Sequence, residues 1–183
     1  MKLRNTLIMF GVVVVLFALV YALEIQRPHK DSQKSKNLGK ILQMEVENVN
    51  KVELIYTVPE NKNIVFSRDK KGQWQVDQPP KAKIDQKVMS DLVSDVVKIS
   101  IYKAVENPGT LADYGLSKPH ITAIFHLRDG THRKLMVGNE VPIGSYVYLK
   151  EESSPDILMV PASIRDDLTK PASSLRDDQT KKI

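Results

Sequence analysis

His126 and His132 flank an Asp129-Gly130 turn signal, and in a hairpin with a bulged three-residue loop they stand opposite each other across two strands. Facing imidazoles are a geometry that holds a divalent metal, but a stable site needs a third ligand. His120 shares their face yet lies about 20 Å away along the strand at the usual rise, so no metal is expected. Asp166-Asp167 and Asp177-Asp178 are paired acids. General acid–base work needs carboxylates that converge from separate elements onto a pocket, so these neighbours read as solvated charge. The stretch from Gly138 to Gly144 has two glycines but lacks both the lysine of a phosphate loop and a helix after it, which leaves a turn with left-handed backbone. With no cysteine in the chain, thiolate catalysis, disulfides and Cys-type zinc sites are excluded. The expectation is a protein that is not an enzyme and carries no catalytic residue or cofactor.

Residues suited to recognition are a different matter. Trp74 is the only tryptophan. It sits between Gln73 and Gln75 on an alternating strand, either as an exposed anchor or, as the alternation favours, as a core or half-buried residue. Tyr146 and Tyr148 share one strand face and form either a binding strip or a pair of β-favouring residues packed on a helix. Trp74, Tyr146 and Tyr148 are therefore the candidate interaction residues. The formal charge of +5 is no footprint for nucleic acid, because Lys2, Arg4, Arg27 and Lys30 against Glu24 supply +3 of it. Further on, charges of both signs are interspersed, as in Arg68-Asp69-Lys70, and the short basic cluster of Lys81 and Lys83 reads as solvated surface.

The elements that must position these residues follow from periodicity. Lys51 to Val58 and Asn63 to Arg68 predict strands joined by a turn at Pro59-Glu60-Asn61, and a third, short strand centres on Trp74 and Val76 before Pro79-Pro80 ends it. The period then changes: Ile84, Val88, Met89, Leu92, Val93, Val96 and Val97 mark one face of a helix from about Asp85, its N-cap, to Lys98. A strand around Ser100 to Val105 and a helical turn at Thr110 to Tyr114, stopped by Gly115, come next. The hairpin at 120–138 follows, in the bulged register that puts Ile121, Ala123 and Phe125 on the same face as Leu135 and Val137. Strands at Ser145 to Lys150 and Ile157 to Val160 and a short helix from about Ala162 to Thr169 complete an α+β class, a mainly antiparallel sheet with one principal amphipathic helix. Internal repeats and low-complexity stretches are absent from the sequence.

Residues Leu7 to Leu23 form an apolar run without a charge, including Leu7, Phe10, Gly11, Leu16, Phe17 and Tyr21. At a helical rise of about 1.5 Å per residue this run is near the lower limit for crossing a hydrocarbon core of about 30 Å. It is longer than the usual signal-peptide core, although Val20-Tyr21-Ala22 resembles a cleavage site. The organisation expected is an N-terminal transmembrane anchor at 1–27, a polar linker at 28–39, a soluble α+β domain at 40–178 and a tail at 179–183. Basic residues flank the run on both sides, so charge counting alone leaves the topology open.

The motif order resembles a known family. Lys2, Arg4, Thr6 and Leu7 ahead of the apolar run, Trp74 to Pro80 leading into Ile84-Asp85, and Tyr114-Gly115-Leu116-Ser117-Lys118-Pro119 are similar to landmarks of the domain of unknown function 4340 (DUF-4340) family. So are Val137-Gly138-Asn139 through Gly144-Ser145-Tyr146-Val147-Tyr148, and Leu175-Arg176-Asp177. No catalytic residues come with this resemblance. It implies a single-pass protein of the bacterial inner membrane whose soluble domain faces the periplasm or extracytoplasmic side. Members often accompany ABC-type export systems of the gliding-motility kind. The function expected is a membrane-tethered accessory or assembly subunit that binds an integral-membrane protein complex or envelope component. The alternative is an envelope enzyme or ligand-binding protein acting on glycan or peptide.

Overall fold

The computed structural model describes residues 44–57, 62–80 and 82–177, which belong to one compact unit, Leu38–Ile183. The anchor expected at 1–27, with its span residues Leu7, Phe10, Gly11, Leu16, Phe17 and Tyr21, and the linker at 28–39 lie outside the described residues. Among the described residues no helix is long and apolar enough to cross a membrane.

The class is α+β. A 3₁₀ turn, Val46–Asn48, leads into β1 (Val49–Tyr56), β2 (Lys62–Arg68), β3 (Trp74–Gln78) and β4 (Ala82–Lys83), then α1 (Gln86–Val97) and β5 (Lys103–Ala104). After a second 3₁₀ turn, Leu111–Tyr114, come β6 (Ile121–Leu127), β7 (His132–Glu140), β8 (Tyr146–Glu151), β9 (Leu158–Pro161), α2 (Ser163–Ser173) and β10 (Arg176–Asp177). Eight strands form one antiparallel sheet in the order β3-β2-β1-β6-β7-β8-β9-β5, and β10 with β4 makes a separate two-stranded ribbon.

Period-two alternation decides which face is buried. Val52, Leu54 and Tyr56 of β1, Ile64 and Phe66 of β2, Phe125 of β6, Leu135 and Val137 of β7 and Val147 and Leu149 of β8 are buried together with Met89, Leu92, Val93 and Val96 of α1 and Ile164 and Leu168 of α2. Both helices thus cover the same face. The Tyr56 hydroxyl donates to the Leu168 carbonyl at 2.7 Å, fastening α2 to the middle of the sheet, and burial pushes that hydroxyl's pKa well above the ordinary 10.0. Asp85 caps α1, its carboxylate accepting from the Lys87 amide at 2.8 Å.

The β6–β7 hairpin adopts the bulged register: Ala123 faces Leu135, His126 faces His132, and Gly130 takes the left-handed φ of 85° that the loop requires. Several expectations need correction. The strand expected over Ser100 to Val105 is only Lys103–Ala104, the last strand at the sheet edge. Nothing in the sequence reading anticipated β4, β10 or the turn at Val46–Asn48. The second helix does not stop at Thr169 but continues through Pro171 to Ser173, so the domain has two main helices rather than one. Pro171 gives up one backbone bond yet is buried, which offsets the loss, and the Thr169 and Ser173 hydroxyls bond to carbonyls of the same helix.

The fold also contains a repeat. The series β1-β2-β3-β4-α1 recurs as β6-β7-β8-β9-α2 roughly 70–77 positions later. Exchange of the two halves maps β1–β2 onto β6–β7 and β2–β3 onto β7–β8, and maps the central β1–β6 pair onto itself. The strand after each helix crosses to the other half: β5 pairs with β9, and β10 pairs with β4. One pairing breaks the match, since β8 and β9 are hydrogen-bonded whereas β3 and β4 are neighbours without a ladder. The halves are related by an approximate two-fold between β1 and β6. The repeat lies in element order and burial parity rather than in residue identity, which is why no repeat is visible in the sequence.

Candidate interaction surface

The helix-free face of the sheet is divided chemically along its strands. At one end a ladder of charge crosses β1, β6 and β7 and ends on Glu152, just after β8. Lys51 Nζ lies 2.7 Å from Glu53 Oε1, which is 2.9 Å from His126 Nε2, and Lys134 Nζ lies 2.8 Å from Glu152 Oε1. The His126 and His132 rings do face each other, with centroids 6.1 Å apart, but Nε2 of His126 is turned to Glu53 and Nε2 of His132 lies 3.7 Å from Glu152. Among the described residues no three His, Cys, Asp or Glu side chains converge as a metal site. The hydrogen bond from Lys51, ahead of the one with His126, holds the Glu53 carboxyl below its usual range, with partial burial opposing; Lys134 does the same for Glu152.

The other end of that face is aromatic. β8 turns Val147 and Leu149 to the core, so Tyr146 and Tyr148 point the opposite way and are half-buried. Each has a partner from a distant part of the chain. Tyr146 stacks on Tyr102, just before β5, with centroids 4.3 Å apart and planes 20° from parallel. Tyr148 meets Tyr114 edge-on at 4.8 Å. Tyr102 is placed by β5, its amide donating to the Met159 carbonyl at 2.9 Å, and stays 58% exposed. Tyr114 ends the 3₁₀ turn that Thr110 and Asp113 cap, the Thr110 amide and hydroxyl donating to Asp113 Oδ2 at 2.7 and 2.9 Å. That turn lies down on the sheet because Leu116 is buried beside Gly138, where any Cβ would collide with the Tyr114 carbonyl oxygen and press on the Leu116 side chain.

Two apolar side chains extend this strip outward: Leu111, 39% exposed on the 3₁₀ turn, and Ile143, 85% exposed between β7 and β8. The arrangement offers stacking and apolar contact along a rigid sheet. Among the residues that form it, no acid and base are aimed at a common point.

Of the three expected interaction residues, Tyr146 and Tyr148 belong to this strip and Trp74 does not. Trp74 is 5% exposed and takes the core role. The Gln86 side chain occupies both its backbone groups, accepting from its amide and donating to its carbonyl at 2.7 Å each, as a neighbouring strand would, and the Arg68 guanidinium lies 4.7 Å over its ring. Tyr102, Tyr114, Leu111 and Ile143 were missed by sequence reading. The first three carry no local signal, since the pairing of β5 with β9 places Tyr102 and the docking of Leu116 beside Gly138 places Leu111 and Tyr114; the uncharged Val141-Pro142-Ile143-Gly144-Ser145 turn is a signal legible in the sequence. Asp167, expected to be solvated, lines a cleft of about 210 Å³ with Asp95, Lys98, Ser100 and Ser163, where the α1 C-terminus meets the start of α2, and is paired with Lys170 at 2.7 Å. Asp166 is exposed.

The family model described as "Domain of unknown function (DUF4340)" matches residues 37–119 and 74–183, overlapping stretches that together take in every element above. No curated protein and no solved structure matches the chain.

Proposed function

Starting from the DUF4340 family, to which this chain belongs, we propose that it is a non-enzymatic, membrane-tethered accessory subunit whose helix-free sheet face binds an integral-membrane complex on the extracytoplasmic side. The observation that carries this reading is the tyrosine strip. Tyr102-Tyr146 and Tyr148-Tyr114 line one side of a rigid sheet whose other side is filled by both helices. Tyrosines present large contact area at low entropic cost and are enriched at binding surfaces, so a row of them on the helix-free face suits recognition. The apolar run Leu7 to Leu23 supports the tether. Confinement to the membrane raises the effective concentration of the domain near a membrane partner, so a modest strip is sufficient. The association with an ABC-type export system belongs to this same proposal.

The test is recovery of partners from detergent-solubilised cells with tagged full-length protein at native expression, identified by mass spectrometry. Integral-membrane subunits recovered with the parent chain should be lost with Tyr102→Ala/Tyr146→Ala and retained when residues 1–26 are replaced by a foreign anchor. Loss on anchor replacement with retention in the tyrosine variant would move the contact into the apolar run and refute the assignment to the sheet face.

A further inference from the structure

The approximate two-fold gives each turn of the second half an internal counterpart, and one comparison stands out chemically. The β2–β3 and β7–β8 turns occupy corresponding places in the two halves, and each contains a glycine at left-handed φ, Gly72 at 78° and Gly144 at 88°. Before that glycine the first half has Lys71, in the charged stretch Asp69-Lys70-Lys71, and the second half has Ile143, in the uncharged stretch Val141-Pro142-Ile143-Gly144-Ser145. The two turns differ in build, since the Asp69 amide to Gln73 carbonyl bond encloses three residues and the Val141 amide to Tyr146 carbonyl bond encloses four. The corresponding connection is thus charged in one half and uncharged in the other, and Ile143 is left 85% exposed.

From this contrast we infer that the Val141–Ser145 turn, led by Ile143, is a lipid-contacting tip that enters the headgroup–acyl boundary of the bilayer to which the chain is tethered. The inference rests on the tethered part of the function proposed above. Four observations favour lipid as the occupant. Ile143 is 85% exposed on the turn between two strands, which suits shallow insertion of one aliphatic side chain. Its neighbours are the Tyr102–Tyr146 stack, aromatic rings with polar tips of the kind that settle at a membrane interface, and Gly144 brings the turn against the Tyr146 ring. The turn has no charge of its own, and Glu140 just before it is held by Arg165 at 2.7 Å. Finally, the apolar run Leu7 to Leu23 lies in the same chain, roughly twenty residues ahead of Met44.

The cysteine-free sequence makes the test clean. Ile143→Cys and Lys71→Cys are introduced singly into the full chain, labelled with nitrobenzoxadiazole and reconstituted into lipid nanodiscs with and without a shallow doxyl-labelled phosphatidylcholine. The expected result is quenching at position 143 at least about twofold stronger than at position 71. Co-elution with the disc but equal quenching at the two positions would overturn the inference while leaving the tether intact. A chain that does not co-elute with the disc would refute the tether and the inference with it. Shielding of the label at 143 from aqueous iodide only when a membrane-protein partner is added, with no response to the doxyl lipid, would reassign the tip to a protein contact. Ile143→Lys, which removes the apolar side chain from the exposed position, should leave the unfolding midpoint unchanged, and a large fall would show that Ile143 serves the fold instead.

Discussion

Gly138→Ala puts the packing of the tyrosine strip to a quantitative test. The added methyl would overlap the Tyr114 carbonyl oxygen and lie 3.1 Å from Leu116 Cγ, with the sheet behind it unable to yield. A carbonyl oxygen is a backbone atom, so relief requires the segment from Leu111 to Leu116 to lift by about 1 Å, and close-packed contacts do not survive a gap of that size. Leu116 is 2% exposed, and uncovering it costs about 1.5–3 kcal/mol. The edge-on contact of Tyr114 with Tyr148 adds about 0.5–1.5 kcal/mol. Since the segment is displaced rather than removed, the expected loss of stability is about 2–4 kcal/mol. Equilibrium urea unfolding of the full chain in nonionic micelles, followed by the fluorescence of Trp74 in the other half of the sheet, reads this out. Leu116→Ala supplies the second arm of a cycle: if the methyl acts by undocking Leu116, the double variant should be less stable than Gly138→Ala alone by under about 1 kcal/mol. Gly138→Ala within about 0.5 kcal/mol of the parent, or two effects that simply add, would refute the reasoning.

The Glu53 carboxyl has a folded pKa below its ordinary 4.5, chiefly through its hydrogen bond with Lys51. A depressed carboxylate stabilises the fold fully above the ordinary value, and that contribution is lost as pH falls through the folded one. Glu53→Gln should therefore flatten the acid side of the stability profile below about pH 5; an unchanged acid limb in a urea series across pH would count against the ladder. Asp85→Ala removes the α1 cap and should cost about 1 kcal/mol in the same unfolding assay without affecting partner recovery, which separates loss of stability from loss of the strip. A variant that keeps its stability but loses the partner would place Asp85 in the interface.

The sequence by itself determined most of the local structure. Alternation named the longer strands, the switch to a 3.6-residue period with Asp85 ahead of it located α1, and the choice between two hairpin loops at Asp129-Gly130 was settled by which one puts Ile121, Ala123 and Phe125 on the same face as Leu135 and Val137. Trp74 was also legible as a core residue, since its strand alternates with glutamines. These features depend on neighbours a few positions apart, where periodicity carries the information. Tertiary structure alone decided the sheet order, the crossing of β5 and β10 between halves, and the two-fold they create, because two-residue strands have no period and the repeated halves share burial pattern rather than side chains. It also decided the surface. Tyr146 and Tyr148 could be read as sharing a face, but Tyr102 and Tyr114 join them only because β5 pairs with β9 and Leu116 fits against a glycine on β7. Pairing between strands far apart in the chain is set by which apolar faces can be buried together, and that is a property of the assembled core rather than of any segment.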